Sequence, residues 1–470
     1  MNQKLSLIIA NVQSPSTLFK SLTHLKEEWK ELGGIYITSS LSENVFKNKL
    51  HMLREWAPTL TIKCFCDQDL AIALNLCLEQ IKSPYFLKLN ENQYVNNVSA
   101  INQFVQRHHS KLEEFLVLFP QEESGTDLRE MKQSEIDSLL MKENIQPLIW
   151  SVKQVKQAGG WSTRDQFPFP PLIDHHLIRR GSSLANIGFM NAAPFYIQEL
   201  LRPGYVNQIH LDWEAIYPHF MGAPTRFSIL QETPKISILM SVYNEERYIQ
   251  WSLSTALKQI DIPFEVVVID DCSTDQTFNI LREWEEKDSR LKVIRMNRNV
   301  GKAKAMNEGL KHCSGEYIFE LDADDWLDRD ALRKSVEIFE QVDQKIACIY
   351  GDRRVWTELS DGNLDYQSVI HGEQVSSIHD YIKKMIPYGP RVYRRTALED
   401  VGGWPWQYPS EGRLYEDVAL LIRLLQKYQL HYQPAFKVYN IRARLSSISR
   451  NNRDRWESIG SYFKDNFMKL

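Results

Sequence analysis

Three aspartates end an apolar segment in the second half of this 470-residue chain. The β-prone run 317–321 leads directly into Asp322, Asp324 and Asp325. Like charges this close repel one another and resist ionising together, and a hard divalent cation such as Mn²⁺ or Mg²⁺ relieves that repulsion. Because a cation held by one or two carboxylates takes other ligands from substrate phosphates, the run indicates a metal-assisted diphosphate site. An acidic turn without a ligand is the alternative interpretation.

Further polar residues follow two other predicted strands of the same half. Strands are predicted at 236–242, 264–269, 291–296 and 317–321, and helices at 245–259, 275–287 and 302–312. Strands separated by helices imply a parallel sheet, which binds ligands beyond the carboxyl ends of its strands. Tyr243 and Asn244 follow the first strand, with Asn244 the candidate N-cap of the first helix, and Asp270 and Asp271 follow the second. We therefore expect one pocket that binds a nucleobase and a metal-bridged diphosphate.

The bulk composition is that of a soluble globular protein of two or three domains. Hydrophobic residues make up 43% and charged residues 25% of the chain, and the net charge of −4 gives no sign of a nucleic-acid partner. The first ten residues predict a strand rather than a signal peptide, and no stretch approaches the roughly 20 apolar residues of a membrane span. We expect a cytoplasmic protein, with peripheral membrane contact left open. The six cysteines fit neither a zinc spacing nor a disulfide framework.

The chain contains an imperfect internal duplication. Three segments match in the same order: 4–13 with 235–244, 75–95 with 307–327, and 159–161 with 402–404. Offsets that grow slowly along the chain are what duplication followed by loop insertion produces. The turn-rich connector 225–234 separates a domain at 1–230 from a second at 231–470, and each has a size that one α/β domain can fill.

The first half lacks most of the acidic residues at the matched positions. The positions that match 322–325 are Asn90, Glu91, Asn92 and Gln93, so all three aspartates become amides. Val12 replaces Tyr243, and Asp174 alone remains opposite the pair Glu416 and Asp417. We expect the first half to keep the fold without transfer activity, and to bind acceptor glycan, support the second half or mediate assembly. Asp174 leaves a residual activity open.

The second half resembles a known family, the family 2 glycosyltransferases, over residues 235 to about 450. The resemblance rests on an ordered set of motifs: 241–245 (SVYNE), 270–275 (DDCSTD), 299–302 (NVGK), 305–310 (AMNEGL), 322–325 (DADD), 402–404 (GGW) and Glu416-Asp417 with Arg423. It implies an α/β fold of two tandem Rossmann-like, A-type glycosyltransferase domains with mixed central sheets. Each motif alone is common, whereas the ordered set is specific.

The resemblance also implies a role for each matched residue. The residues expected to hold the nucleotide sugar are Ser241, Tyr243, Glu245, Asp270, Asp271, Lys302, Asp322, Ala323 and Asp324. Asp271 is the favoured partner for a pyrimidine N3–H, and Asp324 with Asp325 would hold Mn²⁺ or Mg²⁺. Asp417, next to Glu416, would be the general base. The alternative for that pair is the start of a helix, where the helix dipole favours acidic side chains. The two interpretations are compatible.

The implied function is transfer of a sugar, with inversion, from a nucleotide-sugar donor to a saccharide or lipid-linked acceptor. A UDP-sugar is the first donor to consider, and synthesis of a cell-surface or extracellular polysaccharide is the implied setting. A nucleotidyltransferase is disfavoured because no Gly-rich phosphate loop follows the first strand; a non-catalytic carbohydrate-binding or scaffold protein is the other alternative. One departure is Arg444, which stands where the family often has a histidine and cannot ligate a metal. Trp404 and Trp406 either stack on a sugar or fill the core.

Overall fold

The computed structural model divides the chain into two compact units, Met1–Gln208 and Ile209–Leu470. The described residues are 4–25, 28–67, 69–91, 93–95, 97–121, 128–142, 145, 149–169, 172–191, 197–199, 216, 233–359, 362–384, 389–407, 413–444 and 456–467. Most of the connector expected at 225–234 lies outside them. The domain boundary at residue 230 therefore stays a prediction.

The first unit alternates strands with helices. Its strands are β1 (Leu5–Ala10), β2 (Leu32–Ser39), β3 (Ile62–Cys66), β4 (Tyr85–Asn90), β5 (Gln93–Val95), β6 (Phe115–Gln121), β7 (Leu128–Glu130), β8 (Ile149–Ser151), β9 (Asn186–Asn191) and β10 (Ile197–Glu199). Its α-helices are α1 (Pro15–Thr23), α2 (Glu43–Trp56), α3 (Leu70–Gln80), α4 (Val98–Leu112), α5 (Gln133–Leu140), α6 (Val152–Gln157) and α7 (Ile173–Gly181). A 3₁₀ turn at Trp29–Glu31 precedes β2.

The second unit repeats this alternation and adds a second sheet. Its strands are β11 (Ile236–Val242), β12 (Phe264–Asp270), β13 (Leu291–Arg295), β14 (Tyr317–Glu320), β15 (Trp326–Leu327), β16 (Ile346–Tyr350), β17 (Arg353–Glu358), β18 (Leu364–Ile370), β19 (Arg391–Arg394), β20 (Gln429–Tyr432) and β21 (Tyr439–Ala443). Its helices are α8 (Ile249–Leu257), α9 (Thr277–Lys287), α10 (Lys302–Leu310), α11 (Ala331–Gln341), α12 (Ile378–Lys384), α13 (Arg395–Asp400), α14 (Glu416–Leu425) and α15 (Trp456–Phe467).

The central strands of the second unit are buried on both faces. Alternate side chains of β11 enter two different hydrophobic cores: Ile238 and Met240 pack into one, and Leu239 packs into the other. Helix α10 packs on the Leu239 side through Ala305 and Met306. A parallel sheet covered on both faces needs such continuous apolar strands, which explains why these runs were recognisable in the sequence. The predicted α/β class with mixed central sheets is confirmed.

The large sheets of the two units have the same strand order. The first runs β3-β2-β1-β4-β8-β6-β9, with β7 at its edge, and the second runs β13-β12-β11-β14-β19-β16-β20. Strand directions agree as well, because β4 is antiparallel to β8 as β14 is to β19, and β6 is parallel to β9 as β16 is to β20. This agreement is what duplication of one domain would produce.

The start of the first helix of the second unit differs from the prediction. Helix α8 begins at Ile249 rather than at residue 245, and Tyr248 rather than Asn244 is its N-cap. Asn244 has a left-handed backbone (φ 56°), and its Oδ1 accepts a hydrogen bond from Thr274 N at 2.8 Å. The side chain therefore joins two loops instead of capping a helix.

The described helices include none that is both long and apolar enough to cross a membrane. All six cysteines are free thiols, and the sulfurs of Cys64 and Cys66 lie 3.6 Å apart.

Candidate active site

Polar side chains meet at one edge of the second unit's large sheet. Strands β11, β12 and β14 are parallel, so their carboxyl ends share that edge. Tyr243, Asp271 and Asp322 follow these three strands in turn. Helices α10 and α14 begin at the same edge, at Lys302 and Glu416. The topology thus brings together motifs that are up to 173 residues apart in sequence, from Tyr243 to Glu416.

Lys302 is the centre of this cluster. Its Nζ lies 2.6 Å from Asp322 Oδ1, 3.3 Å from Glu416 Oε1 and 3.4 Å from Glu320 Oε1. Burial lowers the pKa of Lys302, but the three carboxylates outweigh burial and raise that pKa well above its ordinary value. The ammonium is therefore a permanent positive charge at the sheet edge, and its side chain remains 28% exposed.

The two acids at the start of α14 have different surroundings. Glu416 is buried, and burial together with the charge of Asp417 raises its pKa to about 7 against the opposing effect of Lys302. Asp417 Oδ2 instead lies 3.0 Å from Arg391 Nη1, and its Oδ1 accepts from Val418 N at 2.8 Å. Arg391 therefore orients the Asp417 carboxylate from one side, while the backbone of α14 holds its other oxygen.

Glu320 holds Arg391 in place from inside the sheet. Two hydrogen bonds join the side chains, at 2.8 Å and 3.1 Å, and Tyr393 Oη donates to the same carboxylate at 2.9 Å. Burial raises the pKa of Glu320, but Arg391 and Lys302 outweigh burial and lower that pKa to about 2. Glu320 thus anchors the two cations that face Glu416 and Asp417.

Arg444 lies against the other end of the acidic run. Its guanidinium donates to both oxygens of Glu245, at 2.9 Å and 2.8 Å, and its Nη2 is 2.6 Å from Asp324 Oδ2. Burial raises the pKa of Glu245 to about 6, although Arg444 opposes that shift. The position that departs from the family's usual histidine therefore neutralises two acids of the predicted donor site.

The strand β21 secures the remaining aspartates. Asp325 Oδ1 accepts from Arg442 N at 2.8 Å, and Asp322 N donates to Tyr439 Oη at 3.1 Å. Burial and the charges of Asp324 and Asp322 raise the pKa of Asp325 well above its ordinary value. Asp325 is therefore a buried group that fixes the turn, and Asp322 and Asp324 have the more exposed carboxylates, at 36% and 20%.

The predicted metal ligands fit a hard cation by their chemistry. Carboxylate oxygens are what Mg²⁺ and Mn²⁺ prefer, and one or two suffice when a diphosphate supplies the rest. Of the predicted ligands Asp324 and Asp325, Asp324 would hold such an ion, although in the structure it pairs with Arg444. Asp325 is buried and already accepts a hydrogen bond from Arg442 N, so the two-aspartate metal site stays a prediction. No group of three or more potential ligand side chains is found within the described part of the chain. When bound, the ion would stabilise the charge of a leaving diphosphate.

The acids after β12 both fix neighbouring loops. Asp270 is fully buried, accepts from Ser273 N at 3.1 Å and lies 3.2 Å from Arg295 Nε. The two oxygens of Asp271 accept from Val300 N at 2.7 Å and from Gly301 N at 2.8 Å. Contact of Asp271 with a base stays a prediction, because each of its oxygens already accepts a backbone hydrogen bond.

Other predicted residues fall into exposed and buried groups. Tyr243 is 44% exposed at the sheet edge, whereas Ala323 is buried and Ser241 on β11 is half-buried. Trp404 is fully buried and fills the core, while Trp406 is 44% exposed with Lys304 Nζ 4.5 Å from its ring centre. Among these predicted residues, Tyr243 and Trp406 present an exposed aromatic ring.

Three charged residues of the cluster were not identified from the sequence. Glu320 gave one signal, because it is a carboxylate inside an otherwise apolar predicted strand. Arg391 and Arg353 gave none, since both come from a stretch that has no motif. The charges of Asp417 and Asp325 both act on Arg353, although burial lowers its pKa. Only the antiparallel strand β19 and the strand β17 place these arginines at the site.

At the matched positions of the first unit, the acidic side chains pair with other groups of the protein. Lys88 stands where the strand register places Glu320, and its Nζ lies 2.6 Å from Asp174 Oδ2. Trp161 Nε1 donates to Asp174 Oδ1 at 2.8 Å. Glu91 Oε2 accepts from the backbone N–H groups of Gln13 and Ser14, at 2.8 Å and 2.7 Å. Asp174, the acid that remains, and Glu91, which matches Ala323, are therefore both bound by the protein's own groups.

Comparison with known proteins identifies the class of the second unit. Residues 237–402 match the model of the family described as Glycosyl transferase family 2. The predicted family resemblance is confirmed, and the second unit contains a family 2 glycosyltransferase domain.

Individual relatives match part of the chain. A poly-beta-1,6-N-acetyl-D-glucosamine synthase of Staphylococcus epidermidis is 30% identical over 213 residues, which are 43% of this chain and 49% of that protein. The putative teichuronic acid biosynthesis glycosyltransferase TuaG of Bacillus subtilis is 36% identical over 153 residues, which are 33% of this chain and 59% of that protein. The chain thus spans about half the length of the curated relatives it matches.

Solved structures resemble the chain more distantly. The crystal structure of S. aureus TarS 1–349 in complex with UDP has 23% sequence identity and a TM-score of 0.36. The match covers 49% of this chain and 66% of that one.

Proposed function

We propose that this chain is a glycosyltransferase whose second unit carries out the transfer. It moves a sugar from a nucleotide-sugar donor, with a UDP-sugar as the first candidate, to a saccharide or lipid-linked acceptor. The observation that carries the proposal is the cluster of Lys302, Asp322, Glu416 and Asp417 at the carboxyl edge of the family 2 domain. Relatives named for polysaccharide and teichuronic acid synthesis support a role in making a cell-surface polysaccharide.

The donor's nucleotide would bind on the β11 and β12 side of this edge. Tyr243 offers an exposed ring on which a base stacks. Lys302 and Arg444 supply positive charge for the diphosphate, and Arg444 adds a planar fork that suits phosphate oxygens. Lys302 lies between Asp322 and Glu416, and the ribose or the transferred sugar would contact Asp322 beside it. When the donor binds, its phosphate oxygens would replace protein carboxylates as the partners of Lys302 and Arg444.

Asp417 is proposed as the general base. An acceptor hydroxyl loses its proton to this carboxylate as its oxygen forms a bond to the anomeric carbon, while the bond to the diphosphate breaks. The electron pair of the broken bond leaves with the nucleoside diphosphate, whose charge Lys302 and Arg444 meet. Attack opposite to the leaving group inverts the anomeric configuration. A positioned base contributes about 10²–10⁴-fold to such a step.

Glu320 and Arg391 are proposed as positioning residues for this base. Arg391 orients the Asp417 carboxylate, and Glu320 keeps Arg391 from turning away. Neither group is placed to contact the reacting atoms, so both act through Asp417.

The first unit, residues 1–230 in the predicted domain scheme, is proposed to be a non-catalytic copy. Lys88 takes up the carboxylate of Asp174 that would otherwise match Asp417. Glu91 accepts hydrogen bonds from the backbone N–H groups of the loop after β1, and this loop would otherwise face a donor. A supporting, assembling or acceptor-binding role fits a unit that keeps the fold and has lost the free acids.

The test is UDP release from a panel of UDP-sugars by the full chain, with UDP affinity measured by calorimetry. The variant Asp417→Asn should bind UDP within about threefold of wild type, because Asp417 is not a donor contact. It should lose about 10²–10⁴-fold in turnover, because the proton acceptor is gone.

The matched control is Asp400→Asn, a surface aspartate paired with Lys427, which should leave both quantities unchanged. Unchanged turnover in Asp417→Asn would remove Asp417 as the base. Failure to bind UDP, GDP or dTDP and to release any nucleotide would contradict the proposal and favour a non-catalytic carbohydrate-binding module.

A further inference from the structure

Arg444 lies against the carboxylate of Asp324, one of the two predicted metal ligands. Its Nη2 is 2.6 Å from Asp324 Oδ2, and the same nitrogen is 2.8 Å from Glu245 Oε1. The three side chains are only 16%, 20% and 18% exposed, so this contact is not a loose surface pair.

Aromatic packing holds the guanidinium in this position. The Cζ atom of Arg444 lies 4.5 Å from the ring centre of Tyr248, and Cζ of Arg442 lies 4.7 Å from the same ring. Arg442 N in turn donates to Asp325 Oδ1. Arg444 is therefore seated by the same strand end that fixes the aspartate turn.

We propose that Arg444 and a divalent cation are alternative partners of Asp324. The guanidinium neutralises Asp324 and Glu245 while no nucleotide is bound, and a cation takes Asp324 only when the guanidinium moves off it. A donor diphosphate provides the alternative partner that draws Arg444 away. This inference rests on the proposed function, because only a diphosphate would recruit both the cation and the displaced arginine.

The physical reason is charge. A doubly charged ion at Asp324 would lie within a few ångströms of the guanidinium, in a partly buried site where water screens the repulsion poorly. The cation and the arginine also compete for the same carboxylate oxygen. The resting protein should therefore bind Mn²⁺ weakly, even though its carboxylates are of a type that suits the ion.

The test measures Mn²⁺ binding to the full chain without nucleotide. Binding is monitored as the loss of the free-ion signal in electron paramagnetic resonance. Arg444→Gln should bind Mn²⁺ at least tenfold more tightly than wild type, because the competitor is removed and the carboxylates remain. Arg444→Lys keeps the charge and should stay weak. Arg333→Gln, which removes a cation from the surface pair with Glu337, should match wild type within twofold.

Two further variants locate the effect. Arg444→Gln with Asp324→Asn should lose the gain, because the proposed ligand is gone. Asp324→Asn alone should leave the weak wild-type affinity within twofold, since Arg444 already excludes the ion from that carboxylate. Equal Mn²⁺ affinity in wild type and Arg444→Gln would overturn the inference. So would a tenfold loss in Asp324→Asn, which remains informative even if Arg444→Gln does not fold.

The outcomes separate this inference from the proposed function. Tighter Mn²⁺ binding by Arg444→Gln in a protein that releases no nucleotide from any donor would count against the function and not against the competition. Unchanged Mn²⁺ binding in a protein that does release UDP would count against the competition alone.

Discussion

Glu416 and Asp417 are adjacent in sequence but serve different electrostatic roles. Asp417 faces Arg391 and is partly exposed, whereas Glu416 is buried against Lys302. The two acids are neighbours in one sequence motif, yet the structure gives them different cationic partners. The raised pKa of Glu416 has a measurable consequence for stability.

Glu416 should make the protein less stable as pH rises. Its pKa is about 7 in the fold against an ordinary 4.5, so the native state keeps a proton that the unfolded chain has lost. Stability should therefore fall between pH 4.5 and 7, by up to about 3 kcal/mol. Relative to wild type, Glu416→Gln should melt at a progressively higher temperature as pH is raised from 5 to 8.

Scanning calorimetry over that pH range is the measurement. Glu399→Gln is the control, because Glu399 is an exposed carboxylate paired with Arg395. Its melting-temperature difference from wild type should stay constant. A constant difference for Glu416→Gln as well would show that burial does not hold the proton on Glu416.

At the scale of elements, one asparagine locks the turn that follows α13. Asn307 on α10 donates from Nδ2 to Trp404 O at 2.7 Å and accepts at Oδ1 from Trp404 N at 2.7 Å. Asn75 makes the same pair of bonds to Trp161 in the first unit, at 2.8 Å and 3.0 Å. The repeated Gly-Gly-Trp motif is therefore a structural lock between a helix and a turn, which explains its presence in both units.

The two glycines of this turn should differ in their tolerance of alanine. Both have left-handed backbones, with φ of 75° at Gly402 and 71° at Gly403. A Cβ at Gly402 meets nothing within 4 Å, whereas one at Gly403 collides with the Asn307 amide. Gly402→Ala should cost about 1–2 kcal/mol from backbone strain. Gly403→Ala should cost about 2 kcal/mol more, because Asn307 must give up two hydrogen bonds.

Urea denaturation followed by tryptophan fluorescence compares the two variants, each serving as the control for the other. Equal midpoints would show that the turn can shift without loss of the Asn307 contacts.

At the scale of the whole molecule, two units share a strand order and differ in the chemistry of one sheet edge. The second unit leaves Lys302 among three carboxylates, while the first pairs Lys88 with Asp174 and has no free acid at the matched place. Conserving the scaffold needs only the apolar pattern and the turn locks. The charges proposed for catalysis differ between the two units, although both units keep these features.

Matched substitutions in the two units should therefore have unequal effects. In the full chain, Asp417→Asn should reduce turnover by about 10²–10⁴-fold, whereas Asp174→Asn should keep it within about twofold. UDP release with the best donor is the measurement, and a melting curve checks that each variant is folded. A large loss of turnover in folded Asp174→Asn would show that the first unit takes part in the reaction.

The sequence by itself determined the elements and the class of site. Buried parallel strands need continuous apolar runs, so β11 to β14 were located to within about one residue at each end, and the acids that follow them were recognisable as one edge. The start of α8, the first helix of the second unit, was misplaced because asparagine is a common N-cap residue. In the structure, Asn244 instead has a left-handed backbone and its side chain joins two loops. Local pattern could not distinguish these two uses of one side chain.

Only the tertiary structure decided which charges face one another. Arg391 and Arg444 are separated from their carboxylate partners by 26 to 199 residues, and no local pattern encodes contacts of that range. Antiparallel β19 brings Arg391 to Glu320 and Asp417, and the end of β21 brings Arg444 to Glu245 and Asp324. Electrostatic partnership depends on distance in space, whereas strand and helix formation depend on neighbours along the chain. The motif acids, Lys302 and the unusual Arg444 were therefore recognisable in the sequence, whereas the pairing of Arg391 and Arg444 with their carboxylates was not.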